Sequence, residues 1–262
     1  MSEGKFGAVP AISLEVFGGN SARTSILRAR DLGFPAVGIP AARREFEPQI
    51  LGSSGAKDLG VFLRNNGLSA SWVWAGAKAR LTFSRSAEED IARMIEVIEL
   101  SEKLRAGAAA VQVGQLGTND SVAATNLREA LASLAPLADK SGVTLALAST
   151  PGEEKLIDGV LKSFDGGPIG RLLNPGATLF AGYDPVHEIE AARQIAGVRA
   201  SDSSGEETAL APGEGRVAWR QLLAALAARD YHGYVTVDFA PRGDVSGRAA
   251  TALALLRRYS IS

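Results

Sequence analysis

The sequence predicts a single (β/α)8 barrel spanning residues 1–262, and three observations carry that expectation. Short apolar runs alternate with longer stretches of helical period about eight times, the pattern of βα units feeding a parallel sheet. A length of 262 residues suits one barrel, and no linker or low-complexity stretch divides the chain. No Gly-x-Gly-x-x-Gly follows the first strand, so an open dinucleotide-binding sheet lacks its fingerprint.

Each element has its own signal. AISLEVF reads as the first strand, and the helix after it places Ile26, Leu27, Ala29 and Leu32 on one face. PAVGIP is the second strand. A helix through Leu59, Phe62 and Leu63 then stops at Asn66-Gly67, a C-terminal signal. LSASWVWAG is the third strand. Ser86 with Glu89 fits a capping box for the next helix, and the acids at 88–90 suit its positive end. AAAVQVGQLG is the fourth strand, and a helix through Leu127, Leu131, Leu134 and Leu137 ends at Ser141-Gly142. VTLALAS is the fifth strand, followed by a helix through Leu156, Ile157, Val160 and Leu161 and a Gly-rich turn. ATLFAGY is expected to be the sixth strand, with Pro185 opening the helix after it. GVRASD is the seventh. A polar loop and a helix lead to YVTVDF, the eighth, and the last helix runs through Ala250, Leu253, Leu255 and Leu256.

Composition narrows the function. A formal net charge of -1 argues against nucleic acid or a membrane surface held by bulk charge. The chain has no cysteine, which excludes disulfides, zinc–thiolate sites and thiol catalysis. MSEGKFGAVP lacks a basic segment leading into an apolar one, and no apolar run reaches membrane-span length, so a cytoplasmic protein with a small-molecule substrate is expected.

Barrel active sites form at the C-terminal ends of the strands. The polar residues expected there are Glu15, Gln112, Gln115, Asp184, His187, Arg199, Asp202 and Asp238, with Trp72 and Trp74 ending the third strand. Alternation sharpens the choice. If Val235 and Val237 face the helices, then Tyr234, Thr236 and Asp238 face inward. The same logic turns Gln112 and Glu15 inward. A carboxylate inside a barrel is costly unless it is paired or bound to a cation, so Glu15 and Asp238 are informative. Each also has a plain structural reading: a buried ion pair for Glu15, a helix-start polar residue for His187, packing for the tryptophans and an exposed turn for His232.

The segments RDLGFPAVGIP, KSGVTLALAST, GYDPVHEI, GVRASD, PGEGRVAWRQLLAAL and YHGYVTVD, in this order and spacing, resemble the sugar phosphate isomerase/epimerase family of xylose isomerase-like barrels over about residues 11–256. That resemblance implies one divalent cation (manganese, magnesium, cobalt or zinc) held by acids after strands five, six and eight and a histidine on strand seven. It also implies proton exchange by two glutamates, and association as dimers or tetramers. Mapped onto this chain, the strand-two acid falls on Gly38, the strand-five glutamate on Ala148, the strand-six motif on Asp184 and His187, the histidine on Arg199 and the final glutamate on Asp238. Asp184 and Asp238 are thus the remaining metal-ligand candidates. A guanidinium cannot ligate a metal, but it neutralises carboxylates that a cation would otherwise bridge. The expected roles are Asp238 and His187 as acid/base groups, Arg199 and Arg216 as oxyanion or phosphate contacts, and Asp202, Gln112, Trp74 and Glu15 as further substrate contacts. Glu153 or Glu154, in the loop just beyond Ala148, or Glu15 from strand one, are the carboxylates that could swing into the gap there. Three functions fit: an isomerase or epimerase with a reduced metal site, a repurposed non-catalytic barrel, or a metal-independent lyase or dehydratase.

Overall fold

The computed structural model describes residues 7–76, 79–82, 87–118, 121–164 and 166–259. Eight parallel strands close on themselves in sequence order, β1 (Val9–Ser13), β2 (Ala36–Pro40), β3 (Ser69–Trp74), β4 (Ala108–Gly114), β5 (Thr144–Ser149), β6 (Ile169–Leu173), β7 (Ile195–Ala200) and β8 (Tyr234–Val237). The helices among the described residues are α1 (Ala22–Asp31), α2 (Pro48–Asn65), α3 (Ala87–Leu104), α4 (Val122–Lys140), α5 (Glu154–Leu161), α6 (Pro175–Phe180), α7 (Pro185–Ala191), α8 (Trp219–Ala228) and α9 (Val245–Tyr259). The barrel expected from the alternation of apolar runs is therefore present. Ser86, the expected cap of α3, lies outside the described residues.

Two expected strands differ. The first ends at Ser13; Leu14–Phe17 tighten into a 3-10 turn, capped by the Ser13 hydroxyl, which accepts from Glu15 N. Glu15 therefore stands on the rim just past β1. The sixth strand is not ATLFAGY. That stretch belongs to α6 and the turn after it, and the strand is Ile169–Leu173, paired with β5 and β7. The reason is local: Asn174 caps the helix through Ala177 N at 3.2 Å, and Pro175 sits in its first turn. Gly170 and a buried Arg171 interrupt the apolar signature of the true strand.

Two packed layers result. Ile12, Leu14, Val37, Ile39, Val111, Val113, Val235 and Val237 face the helices. The barrel interior holds a separate cluster, Trp72 and Trp74 against Ala108, Ala110, Ala146, Ala148 and Leu172. Two indoles from one strand occupy the lumen, so β4 and β5 present methyl groups there. Gly38 is matched to them, since a Cβ at that position would stand 2.6 Å from the Trp72 Nε1. Lower in the lumen, the Thr236 hydroxyl donates to Ser71 Oγ at 3.1 Å. Ser71 is the extra residue of the β2–β3 register shift.

Trp72→Ala removes one of the two indoles that fill the lumen, and the alanines that make up most of its cluster cannot reach in to close the gap. It is expected to destabilise the protein by about 3–5 kcal/mol in chemical denaturation.

Candidate functional site at the C-terminal mouth of the barrel

The mouth is organised around Arg199, which leaves β7 pointing inward. Its Nε donates to Asp238 Oδ2 at 2.6 Å, its Nη2 lies 3.8 Å from Glu15 Oε2, and its guanidinium carbon sits 5.1 Å from the centre of the Trp74 ring. Asp238 follows β8 and extends the ladder, its N–H donating to Ala200 O. The cation is thus held by a buried carboxylate, a half-exposed carboxylate and an aromatic face.

The two acids titrate differently from free side chains. Burial pushes the Asp238 carboxyl up, with Arg199 holding it back. Burial also raises Glu15; the neighbouring Asp238 charge adds to this and Arg199 opposes it. One cation between two carboxylates leaves a surplus negative charge, which adds to burial in raising the pair.

Beside Arg199 lies a cavity of about 120 Å³, lined by Gln112, Ala148, Ser149, Asn174, Thr178 and Glu188 among others. Gln112 faces inward, as the alternation on β4 predicts, whereas Gln115 lies beyond the strand and is exposed. Asn174 was not foreseen. It stands immediately after β6, where its Oδ1 accepts from Ser201 Oγ at 2.6 Å and from Ala177 N. The signal was an apolar run ending in Asn-Pro-Gly, a strand end joined to a helix start.

The other expected site residues lie elsewhere. Asp184 caps α7 through Val186 N at 2.8 Å and is exposed, as is His187 in the first turn of that helix. Their expected place at the mouth is corrected by the shifted sixth strand: ten residues separate Asn174, which holds the rim position, from Asp184. Arg216 is also exposed and lines, with Asp184 and Tyr183, a separate cavity of about 300 Å³ that shares no lining residue with the mouth cavity. Asp202 is fully buried and does not contact the mouth cavity. Its carboxylate accepts from the N–H groups of Ser203, Gly213 and Val217 and from the Trp219 Nε1, between 2.8 and 3.0 Å. It therefore pins the loop between β7 and α8. Glu153 similarly accepts from Leu116 N and Gly117 N, and Glu154 from Gly152 N at 2.7 Å, so both serve loops rather than the gap at Ala148. His232 pairs with Asp230 in an exposed turn at 2.8 Å.

The donor set does not fit a divalent cation. Neutral or cationic side chains, Ala148, Asn174 and Arg199, stand at three of the rim positions, and Arg199 already engages both nearby carboxylates. Among the described residues, no three His, Cys, Asp or Glu side chains converge as a metal site.

The model for xylose isomerase-like TIM barrels matches residues 26–259. The chain belongs to that family. No curated protein matches it. Among solved structures it is similar to a xylose isomerase domain protein from Planctomyces limnophilus, with 16% identity over 97% of this chain and 96% of that one and a TM-score of 0.80. It is also similar to a D-tagatose 3-epimerase-like protein, with 17% identity over 96% of each chain and a TM-score of 0.81. A third is the apo form of a 3-keto-D-glucoside 4-epimerase from E. coli, with 13% identity over 96% of this chain and 99% of that one and a TM-score of 0.78. At these identities the likeness concerns the fold. No helix among the described residues is long and apolar enough to cross a membrane.

Two outcomes are expected. The Glu15 pKa is higher in the fold than in the unfolded chain, so the native state binds that proton more tightly; the resulting penalty is absent in acid and grows as pH rises past the ordinary glutamate value. Glu15→Gln should therefore raise stability at pH 7–8, and the gain should vanish below about pH 4 in pH-resolved denaturation. Separately, Ala148→Glu, Asn174→Asp and Arg199→His made together should give a barrel that retains about one manganese per chain by mass spectrometry, as four ligands would around Asp238. A folded triple variant without manganese would sink the assigned rim positions.

Proposed function

We propose that this protein catalyses proton transfer next to a carbonyl of a polyhydroxylated compound, in the manner of an isomerase or epimerase, with a guanidinium in place of a divalent cation. The observation that carries this reading is the Arg199–Asp238 pair with Glu15 beside it, at the barrel end where catalytic groups collect.

Removing a proton beside a carbonyl places negative charge on the carbonyl oxygen. A fixed guanidinium next to that oxygen stabilises the charge without reorganising. Asp238 holds the guanidinium at a set angle, and the Trp74 face supports it from another side. Glu15, whose pKa burial raises above the ordinary glutamate value, is half-exposed and stands where it can hold or give up a proton at the rim. This role replaces the one expected for His187. Gln112, Ser149 and Asn174 supply amide and hydroxyl groups that hydrogen-bond to substrate hydroxyls. The cavity is smaller than a whole sugar site, so one end of the substrate enters it and the rest lies over the rim near Glu15. The family membership and the epimerase neighbours support the substrate class.

The test is uptake of deuterium from D2O by the carbon next to the carbonyl, followed by NMR with D-fructose, D-tagatose and dihydroxyacetone. Wild-type protein is expected to exchange at least one of them. Arg199→Met should slow that exchange by about 100- to 1,000-fold, the usual effect of removing one oxyanion donor. Wild-type exchange left unchanged by Arg199→Met would overturn the assigned role of the guanidinium.

A further inference from the structure

The cavity of about 300 Å³ that Arg216 lines differs in make-up from the mouth cavity. Its floor is apolar: Leu179 from α6, Pro185 and Val186 from α7, Val217 just before α8 and Leu222 within α8. Tyr183 forms a wall. Its hydroxyl reaches Gly152 in the loop after β5, leaving no room there for a Cβ, and its ring stays half-exposed. Two exposed charged residues, Arg216 and Asp184, complete the lining. Each is held by its own loop. Arg216 N donates to Ser203 O at 2.8 Å, and the guanidinium lies over Gly205, where a Cβ would stand 3.6 Å from Nη1. Asp184 Oδ1 accepts from Val186 N at 2.8 Å, which leaves Oδ2 open. Among the described residues Arg216 and Asp184 do not pair with each other, and neither has another ionic partner. Opposite charges held apart around an apolar floor match a ligand that carries both charges at one end and an apolar group at the other.

We propose that this cavity binds an α-amino acid with an apolar side chain, such as leucine or phenylalanine. The carboxylate of the ligand pairs with the Arg216 guanidinium, a fork suited to two oxygens. Its ammonium donates to Asp184 Oδ2, and its side chain covers the half-buried Leu179 and Val186. Burial of that side chain supplies the apolar part of the affinity. A sugar does not suit the cavity, because two charged groups and an apolar floor offer few partners for a row of hydroxyls. The volume stands at the lower end of the range for ligand sites, about 300–1,000 Å³, which suits a molecule of amino-acid size. The proposal is independent of the proton-transfer reading, since the two cavities share no lining residue.

Saturation-transfer NMR titrations of the full chain test this with L-leucine and L-phenylalanine. Isocaproate (leucine without its ammonium), isoamylamine (leucine without its carboxylate) and glycine serve as truncated probes. At least one of the two amino acids is expected to bind saturably below about 10 mM. Each truncated probe lacks one of the three contacts and should bind about tenfold or more weakly. Arg216→Met and Asp184→Asn should each weaken amino-acid binding by about tenfold or more. Both positions are exposed, and asparagine caps a helix as aspartate does, so both variants should fold. Asp184→Asn should also narrow the gap between leucine and isocaproate, which a general loss of structure would not do. Absence of saturable binding of either amino acid by wild-type protein would overturn the proposal. Isocaproate binding as tightly as leucine would also overturn it, by making this a site for simple carboxylates. Amino-acid binding that Arg216→Met leaves unchanged would place the ligand elsewhere and overturn it too.

Discussion

The filling of the lumen by Trp72 and Trp74 is the constraint on which the site depends. A barrel interior must be packed, and two indoles from one strand take up space that several medium side chains would otherwise share. Their presence dictates Gly38 on β2 and alanines at 108, 110, 146 and 148. Two of those small residues, Gly38 and Ala148, stand where family resemblance places acids. The loss of acidic groups and the tryptophan packing are therefore linked: at Gly38 any side chain collides with Trp72, so a carboxylate cannot return there while the indole stays. The Trp74 ring then supplies the face against which Arg199 rests.

Arg199 turns this altered interior into a charged site. Asp238 alone, buried after β8, would be costly as an anion. Pairing it with a guanidinium satisfies the charge and leaves other nitrogens of the cation next to Glu15 and the cavity. A delocalised, permanently charged group is also a direct chemical substitute for a Lewis acid wherever the task is to stabilise an oxyanion. The surrounding loops are fixed by other carboxylates. Asp202 gathers four donors from the β7–α8 loop and the first residue of α8, and Glu153 gathers amides from the segment after β4. Acidic residues near a barrel mouth thus divide into those that hold backbone and those that face the cavity, and the division follows from which amides lie within reach.

Much of the fold was legible in the sequence because apolar periodicity and turn residues are local properties. Seven strands were located by it, to within a few residues. The sixth was not, because Gly170 and a buried Arg171 break its apolar run, while the apolar stretch at 177–183 imitates a strand that Asn174 and Pro175 commit to helix. That one displacement carried Asp184 and His187 into the expected site and left Asn174 out. The inward orientation of Gln112 and Asp238 followed from period-two alternation on β4 and β8, because the β4 register with β5 shifts only after Gln112 and the β8 pairings show no shift. Glu15 was placed near the right neighbours for a partly different reason, since a 3-10 turn rather than a strand carries it.

By itself, then, the sequence determined the class of fold, the family resemblance and the identity of the groups that departed from it, because these depend on residue type and spacing along the chain. Tertiary structure decided which charges meet. The contact of Arg199 with Asp238 and Glu15, the withdrawal of Asp202 into a loop and the buried pairing of Glu188 with Arg171 all join residues distant in sequence, and closure of the barrel sets their separations. A carboxylate's role is fixed by the donors within about 3 Å of it, and that distance is a property of the folded chain.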